Sequence, residues 1–276
     1  MRLTSWNLLH AMAIPPGSKA SLPSAIKKIA PQVLAVQEVD HFLPRSNSIN
    51  QIQEIAKAMK AVDWAFAPSV IGTPGEKWRA LKDSDESIIT AASKAPTKSA
   101  LAKGTFAGGY GIAFASTIPV TAYERIELGR SLVGMPLIVP GGEDGRGKPR
   151  FIYVQDEPRV ALVAHLENGW SIISTHLSFV PGLNVAQLKK LKRWAEKSAA
   201  QTGNRVVIMG DLNLPKGLPV VGSKWNSLTT QNTYPSWGAK IQFDYILTKD
   251  SVKKLKVIET TATGISDHLP ITVEIE

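Results

Sequence analysis

Acidic and amide side chains follow several short apolar segments of this sequence. The segment "RVVIMGDLN" places Asp211 and Asn213 directly after a run of apolar residues, with Gly210 at the junction. Carboxylate and amide oxygens, together with water, are the ligands that Mg²⁺ prefers, and Mg²⁺ typically takes only one or two protein carboxylates. A buried strand is also a rigid mount for such groups. This segment therefore predicts a strand that presents reactive groups at its end.

The same arrangement recurs at five other places in the chain. The segments "LTSWNLL", "LAVQEVD", "IISTHLS", "QFDYILT" and "GISDHLP" contribute, in this order, Asn7, Glu38, His176, Asp244, and the pair Asp267 and His268. A single Asp at a strand end most often caps a turn, and a single His is more often structural than catalytic. Taken together they form a coherent set, because an Asp–His pair can hold an imidazole in one tautomer or keep it cationic beside a phosphate.

The elements that must position these residues are short strands with few helices between them. Strands are predicted for "RLTSW", "VLAVQ", "GIAFAS", "RVALVAHL", "SIISTHL", "RVVIMG", "FDYILT" and "ITVEI". Helical spacing of Ile49, Ile52, Ala56 and Met59 predicts one helix, and that of Val185, Leu188, Leu191 and Ala195 predicts a second. Because the later strands follow one another through turns, mixed or antiparallel sheets are expected.

Composition limits the classes of protein and of site. The 276 residues contain no Cys, which excludes disulfides and thiolate metal sites, and the net charge of +9 favours anionic partners. The default is one domain over residues 1–276, with long loops at 72–105 and 140–150. No segment approaches the ~18 consecutive apolar residues of a membrane helix. We expect a cytoplasmic monomer, if Met1 is the native start.

The order of these motifs resembles the endonuclease/exonuclease/phosphatase superfamily, which includes pancreatic-type deoxyribonuclease, abasic-site endonucleases, sphingomyelinases and inositol polyphosphate 5-phosphatases. The resemblance runs from Ser5 to Pro270 and rests on "WN", "QE", "STHL", "GDLN", "TYP", "FDYIL" and "SDH". It implies an α/β fold, a four-layer α/β sandwich in which two mixed β-sheets pack face to face with helices outside.

The resemblance also implies roles in a hydrolysis that depends on Mg²⁺ or Mn²⁺. Glu38 is the principal metal ligand, with Asn7 beside it and Asp267 close enough to bind or tune the metal. Asp211 orients or deprotonates the attacking water. Asn213 holds the metal-site geometry and a phosphate oxygen. His268, hydrogen-bonded to Asp244, contacts the phosphate and stabilises the charge that develops on it, and His176 assists the leaving group.

Two further residues and the substrate are left with alternatives. Arg159 either meets a substrate phosphate or forms a structural salt bridge, and Tyr110 either binds substrate or packs beside the site. His10, His41 and His165 are interpreted as structural. The leading hypothesis is a phosphodiester hydrolase acting on nucleic acid; the alternatives are an enzyme for small phosphate esters or lipid headgroups, and a weakly active binding protein on the same fold.

Overall fold

The computed structural model describes residues 1–103, 106–141 and 147–276. Sixteen strands occur within these ranges. In chain order they are β1 (Arg2–Asn7), β2 (Val33–His41), β3 (Asp63–Gly72), β4 (Trp78–Arg79), β5 (Ile89–Thr90), β6 (Gly109–Ser116), β7 (Val120–Gly129), β8 (Met135–Gly141), β9 (Gly147–Val154), β10 (Arg159–Leu166), β11 (Trp170–His176), β12 (Arg205–Asp211), β13 (Asn226–Ser227), β14 (Asp244–Thr248), β15 (Leu255–Ile258) and β16 (Ile271–Ile275).

The strands form two large mixed sheets and one hairpin. The first sheet has the order β15-β16-β1-β2-β6-β3-β4, with β5 paired to β3, and the second has the order β13-β14-β12-β11-β10-β7. The pairs β1–β2 and β11–β12 are parallel, whereas the other described pairs are antiparallel. The eight strands predicted from the sequence are all present.

The main core lies between the two sheets. Side chains of the first sheet, such as Leu3 and Phe114, share one buried cluster with Leu162, Ile172 and Val207 of the second. Alternate residues of the same strands point to the opposite faces, where helices cover them, because side chains alternate along a strand. The result is four layers, helix–sheet–sheet–helix, which confirms the predicted sandwich.

The described residues contain four α-helices: α1 (Leu22–Ile29), α2 (Gln51–Met59), α3 (Lys98–Ala102) and α4 (Leu183–Thr202). Of these, α1, α2 and α4 cover the outer faces of the sheets. Ile26 and Ile52 pack on the first sheet, while Leu188 and Leu191 pack on the second. No helix in the described part of the chain is long and apolar enough to cross a membrane.

Both predicted helices exist, but the first residue of each predicted apolar stripe is exposed. Ile49 precedes α2, whose N-cap is Asn50, and Val185 lies within α4; the two are 39% and 38% exposed. A cap residue fixes where a helix begins, so the stripe on α2 starts only at Ile52.

The predicted loop at 140–150 is wrong for the part that the structure describes. Gly141 ends β8 and residues 147–150 belong to β9, and the two strands form an antiparallel hairpin. Residues 142–146 lie outside the described residues. The predicted loop at 72–105 is mostly irregular, as expected, but it contains β4, β5 and the short α3; its last two residues, 104 and 105, are also outside the described ranges.

Candidate active site

Three candidate site residues of the second sheet lie in one row across neighbouring strands. The parallel register of β11 and β12 sets His176 opposite Asp211, and the antiparallel register of β12 and β14 sets Asp211 opposite Asp244. Gly210 allows this close approach, because a Cβ atom there would lie 1.9 Å from the carbonyl oxygen of Thr175. The glycine is therefore required by the packing of β12 against β11.

The first sheet contributes the ends of β1 and β2. Asn7 is the last residue of β1 and pairs in register with Gln37. Between Val36 and Val39 the pairing of β2 with β6 shifts register, and Glu38 has φ +56°. A β-bulge re-aims side chains next to functional sites, and here it brings Glu38 within hydrogen-bonding distance of Asn7.

The ends of these strands surround one pocket of about 670 Å³. The carboxamide of Asn7 donates through Nδ2 to Glu38 Oε1 at 2.9 Å and to Asp211 Oδ2 at 3.0 Å, so it joins the acidic groups of the two sheets. Eight of the ten predicted site residues line the pocket: Asn7, Glu38, Tyr110, Arg159, His176, Asp211, Asn213 and His268. The other two, Asp244 and Asp267, do not line it.

Asp244 and His268 form a buried pair at the edge of this pocket. His268 Nδ1 lies 2.7 Å from Asp244 Oδ2, and Asp244 is fully buried. Burial alone would lower the pKa of His268, but the charge and hydrogen bond of Asp244, with the charges of Asp211 and Asp267, raise it to about 10. The imidazole is therefore cationic at neutral pH.

The carboxyl groups on the other side carry uncompensated negative charge. Burial and the charge of Asp267 raise the pKa of Glu38 to about 7, and burial followed by the charge of Asp244 raises the pKa of Asp211. Asp267 Oδ1 is buried without a hydrogen-bond partner among the described residues. A cation placed between Glu38 and Asp267 would relieve both effects, so the donor set fits a hard metal ion.

A second group of residues also has the spacing of metal ligands. The group consists of Asp211, Asp244 and His268, each of which offers one possible ligand atom. These three atoms lie within 4.8 Å of one another and the residues are buried, so the group could hold a metal. The 2.7 Å contact between Asp244 and His268 has the length of a strong hydrogen bond, which a metal at this place would have to break. The assignment of metal ligands to Glu38, Asn7 and Asp267 stays a prediction.

His176 and Asn213 support each other at the far side of Asp211. Asn213, with φ +48°, donates through Nδ2 to Leu177 O at 2.9 Å and lies 3.2 Å from His176 Nε2. His176 Nε2 is also 3.6 Å from Asp211 Oδ2. Burial and the charges of Arg159 and His268 lower the pKa of His176 well below its usual range, so this imidazole is neutral.

Arg159 of β10 and Tyr110 of β6 also line the pocket, and both are nearly buried. Arg159 Nη2 lies 3.0 Å from Glu157 and 3.2 Å from Asp156, so the structural salt bridge is present. Burial raises the pKa of Tyr110 well above its usual range, with a further contribution from the charge of Glu38. Both side chains therefore reach the pocket while they are held in place by the protein.

Sequence analysis missed several pocket residues or gave them no role. The ring of Tyr234 lies 5.0 Å from that of His268; its motif "TYP" had marked it as a family position without a function. His10, interpreted as structural, also lines the pocket, whereas His41 and His165 do not. No local signal in the sequence indicates the other lining residues, which include Leu9, Arg45, Phe179 and Phe243.

Comparison of the sequence with known proteins identifies a family, but it finds no matching curated protein. The model of the "Endonuclease/Exonuclease/phosphatase family" matches residues 4–268. A search of curated proteins finds no match. The assignment therefore depends on the family model and on the fold.

Solved structures agree over the whole chain. A mannosyl-6-phosphatase from Bacteroides thetaiotaomicron has a TM-score of 0.59 at 12% identity, with 100% of this chain and 99% of that one covered. Truncated TDP2 from Caenorhabditis elegans gives 0.54 at 15% (99% and 96% covered), and the human Nocturnin catalytic domain gives 0.54 at 16% (100% and 93% covered). At sequence identities this low, the similarity indicates a shared fold only. Because the family model spans nearly the whole chain and the buried Asp and His residues meet in one pocket, the protein belongs to the endonuclease/exonuclease/phosphatase family and is a phosphate-ester hydrolase.

Proposed function

We propose that this protein is a Mg²⁺-dependent phosphodiesterase that hydrolyses its substrate by direct attack of water, with nucleic acid as the leading substrate class. The observation that carries the proposal is the position of Asp211. Its Oδ2 accepts from the Asn7 carboxamide at 3.0 Å and lies 3.6 Å from His176 and 3.8 Å from His268. One carboxylate thus sits among the groups that a hydrolysis of a phosphate ester requires.

Asp211 is suited to the role of general base. The raised pKa of its carboxyl makes it a better proton acceptor than an exposed aspartate, and general bases work best when their pKa approaches the operating pH. Asn213 N donates to Asp211 Oδ1 at 2.9 Å, and Asn7 binds Oδ2, so the carboxylate is held in one orientation. In this role it accepts a proton from the water that attacks phosphorus.

His268 supplies positive charge where the transition state becomes more negative. Its Nδ1 is bound to Asp244, which leaves Nε2 to donate to a phosphoryl oxygen. The neutral His176 accepts at Nε2 from Asn213, so it positions that side chain. His176 could assist the leaving group only after the negative charge of a bound phosphate has raised its pKa.

Glu38, Asn7 and Asp267 are the residues that would hold the metal. When bound, Mg²⁺ supplies charge neutralisation on the scissile phosphate. The test is hydrolysis in the presence of Mg²⁺, measured on plasmid DNA, abasic duplex, RNA, sphingomyelin and inositol phosphates. Turnover of none of these, with each metal tried, would favour a weakly active binding protein.

The excess of basic residues supports nucleic acid within this class. Each duplex phosphate that the protein neutralises contributes about −0.9 to the slope of log K against log salt, so four to six contacts give a slope of about −4 to −5. The measurement is binding of an Asp211→Asn variant to a short duplex at several salt concentrations. A slope shallower than about −1.5 would remove nucleic acid as the leading substrate.

Small phosphate esters are the second candidate, because of the size of the pocket. Its volume of about 670 Å³ is within the range of about 300–1,000 Å³ that is usual for small-molecule sites. The similar fold of a mannosyl-6-phosphatase is consistent with this candidate. A shallow salt slope together with turnover of inositol or sugar phosphates would establish it.

A further inference from the structure

One cation in the pocket is held by a buried carboxylate and has donors to spare. Arg45 lies in a short 3₁₀ turn (Pro44–Ser46) that follows β2. Its Nε and Nη2 donate to Asp40 Oδ2 and Oδ1, both at 2.8 Å, and Ser46 Oγ donates to the same carboxylate at 2.8 Å. Asp40 is fully buried. The guanidinium is therefore fixed in position by its Nε and Nη2 bonds to Asp40.

The free side of this guanidinium faces the catalytic pocket. Arg45 lines the pocket together with Glu38, and its guanidinium carbon lies 5.5 Å above the ring of Tyr110. The side chain is 23% exposed. Two of its five N–H groups bind Asp40, and no other hydrogen-bond acceptor for Arg45 occurs within the described residues. Three N–H groups remain for a ligand.

Arg45 also stands where the catalytic pocket continues into a neighbouring groove. This groove, of about 520 Å³, runs between the Leu9–Ala11 turn and the start of α2, and its wall includes Met12 and Glu54. His10 and Arg45 line both cavities. A substrate bound at the catalytic carboxylates can therefore extend past these two residues into the groove.

The junction of the two cavities is rigid. Gln51 at the start of α2 donates through Nε2 to the backbone oxygen of His10 at 2.7 Å, and its Oε1 accepts from the backbone N–H of Asp40 at 2.8 Å. One side chain thus ties the turn that carries His10 to the strand that carries Asp40. A donor held in this way loses little freedom when it binds an anion.

Arg159, the other arginine of the pocket, is less suited to an additional anion. Two nearly buried carboxylates, Asp156 and Glu157, lie within 3.2 Å of its Nη2. Both Nε and Nη2 of Arg159 already contact these carboxylates, which leaves Nη1 as its free end. Arg45 has one hydrogen-bonded carboxylate partner, Asp40, and the charge of Glu38 also acts on it.

We propose that Arg45, positioned by Asp40, binds a second phosphate group of the substrate, one that lies beyond the scissile phosphate toward the groove. The planar fork of an arginine matches the oxygens of a phosphate. This inference rests on the proposed function in one respect only, namely that the group that is cleaved is a phosphate ester. It narrows the substrate to molecules with at least two phosphates, either adjacent phosphates of a nucleic acid or those of a small bisphosphate.

The test compares substrates that differ by one phosphate. The nucleotide pair is thymidine 3′-(4-nitrophenyl phosphate) with and without a 5′-phosphate, and the sugar pair is glucose 1,6-bisphosphate against glucose 6-phosphate. For the native protein we expect the second phosphate to raise kcat/KM about 10- to 100-fold, mainly through KM, in at least one pair. The pair that responds identifies the source of the phosphate.

The decisive variant removes both charges of the pair. Arg45→Gln alone would leave the Asp40 carboxylate buried without its cation and could unfold the protein, so the double variant Asp40→Asn/Arg45→Gln is used. The matched control is Asp85→Asn/Arg79→Gln, since Arg79 holds Asp85 through two hydrogen bonds of 2.6 and 2.9 Å and neither residue lines the pocket. The first variant should lose the preference for the second phosphate, and the control should retain it.

Direct binding separates this inference from the proposed function. In EDTA, calorimetric titration should show adenosine 3′,5′-bisphosphate binding to the native protein at least about tenfold more tightly than adenosine 5′-phosphate, and equally tightly to the double variant. If the native protein hydrolyses neither pair, the titration still decides the role of Arg45, and the proposed function is judged separately on the nucleic acid, lipid and inositol phosphate substrates. The inference would be overturned if the native protein showed no preference for the second phosphate. It would also be overturned if the double variant kept that preference.

Discussion

The imidazole of His268 and the carboxylate of Asp244 lie 2.7 Å apart, and Asp244 is fully buried behind the ring. This contact keeps the pKa of His268 near 10, against 6.5 for an ordinary histidine. Because the folded value is the higher one, the pair stabilises the folded state fully below pH 6.5. Its contribution decreases as the pH rises and is lost above about pH 10.

Replacing Asp244 should abolish this behaviour. In Asp244→Asn the buried imidazole loses its nearest counter-charge while Asp211 and Asp267 remain, so the pKa of His268 should fall from about 10 toward its ordinary value and the free energy of unfolding at pH 7 should fall by about 3 kcal/mol. Histidine NMR titration and urea denaturation of the metal-free protein measure the two quantities. An unchanged pKa of His268 in this variant would show that Asp244 is not the source of the shift.

Asp211→Asn should reduce turnover while the fold is kept. The substitution preserves the shape of the side chain but removes the basic carboxylate, and general base catalysis typically contributes about 10²–10⁴-fold. The expected result is a loss of kcat in this range with a melting temperature close to that of the native protein. A rate within threefold of the native rate on the best substrate would contradict the assigned role.

Chelation of the metal should stop hydrolysis, and Glu38 should determine how much Mg²⁺ the enzyme needs for activity. Exhaustive EDTA treatment is expected to abolish activity, and added Mg²⁺ or Mn²⁺ is expected to restore it. In Glu38→Gln, the Mg²⁺ concentration that gives half-maximal activity should rise at least about tenfold, because a charged oxygen ligand becomes a neutral one. Full activity of the native protein in EDTA would rule out the metal-dependent mechanism.

Gly210→Ala should damage both stability and activity. The added Cβ would lie 1.9 Å from the carbonyl oxygen of Thr175, so β12 must move away from β11, at a cost of about 1–3 kcal/mol or more. Gly238→Ala is the matched control, because a Cβ there meets no atom within 4 Å. Thermal denaturation should show a lower melting temperature for the first variant alone; equal values would mean that the strands can adjust.

Sequence reasoning predicted the strand ends because their signal is local. An apolar run followed by Asp211 or Asn7 is visible in a few residues, and strands joined through turns indicate mixed or antiparallel sheets. The pairing of two such sheets face to face was implied only by the family resemblance. The bulge that turns Glu38 toward Asn7 has no comparable signal, since it depends on the pairing of β2 with a strand some 70 positions later. The sequence therefore indicated that Glu38 is functional but not how the backbone presents it.

Composition was misleading where turn-forming residues lie within strands. The many Gly and Pro residues at 140–150 predicted a loop, yet Gly141 and residues 147–150 pair in the hairpin of β8 and β9. Long-range contacts were equally hidden. Arg45 and His10 are 35 positions apart but line one pocket, where Gln51 is hydrogen-bonded both to the backbone of His10 and to that of Asp40.

The first and last parts of the chain meet at the pocket, and this has a consequence for protein synthesis. Trp6 Nε1 donates to His268 O at 3.0 Å, and Ser266 Oγ donates to Asn7 O at 2.6 Å. A nascent chain on the ribosome can hold Asn7 and Glu38 long before His268 has been translated. We therefore expect a chain to become active only after the segment that carries Ser266 and His268 has joined the first sheet, so that chains without this segment leave phosphate esters intact.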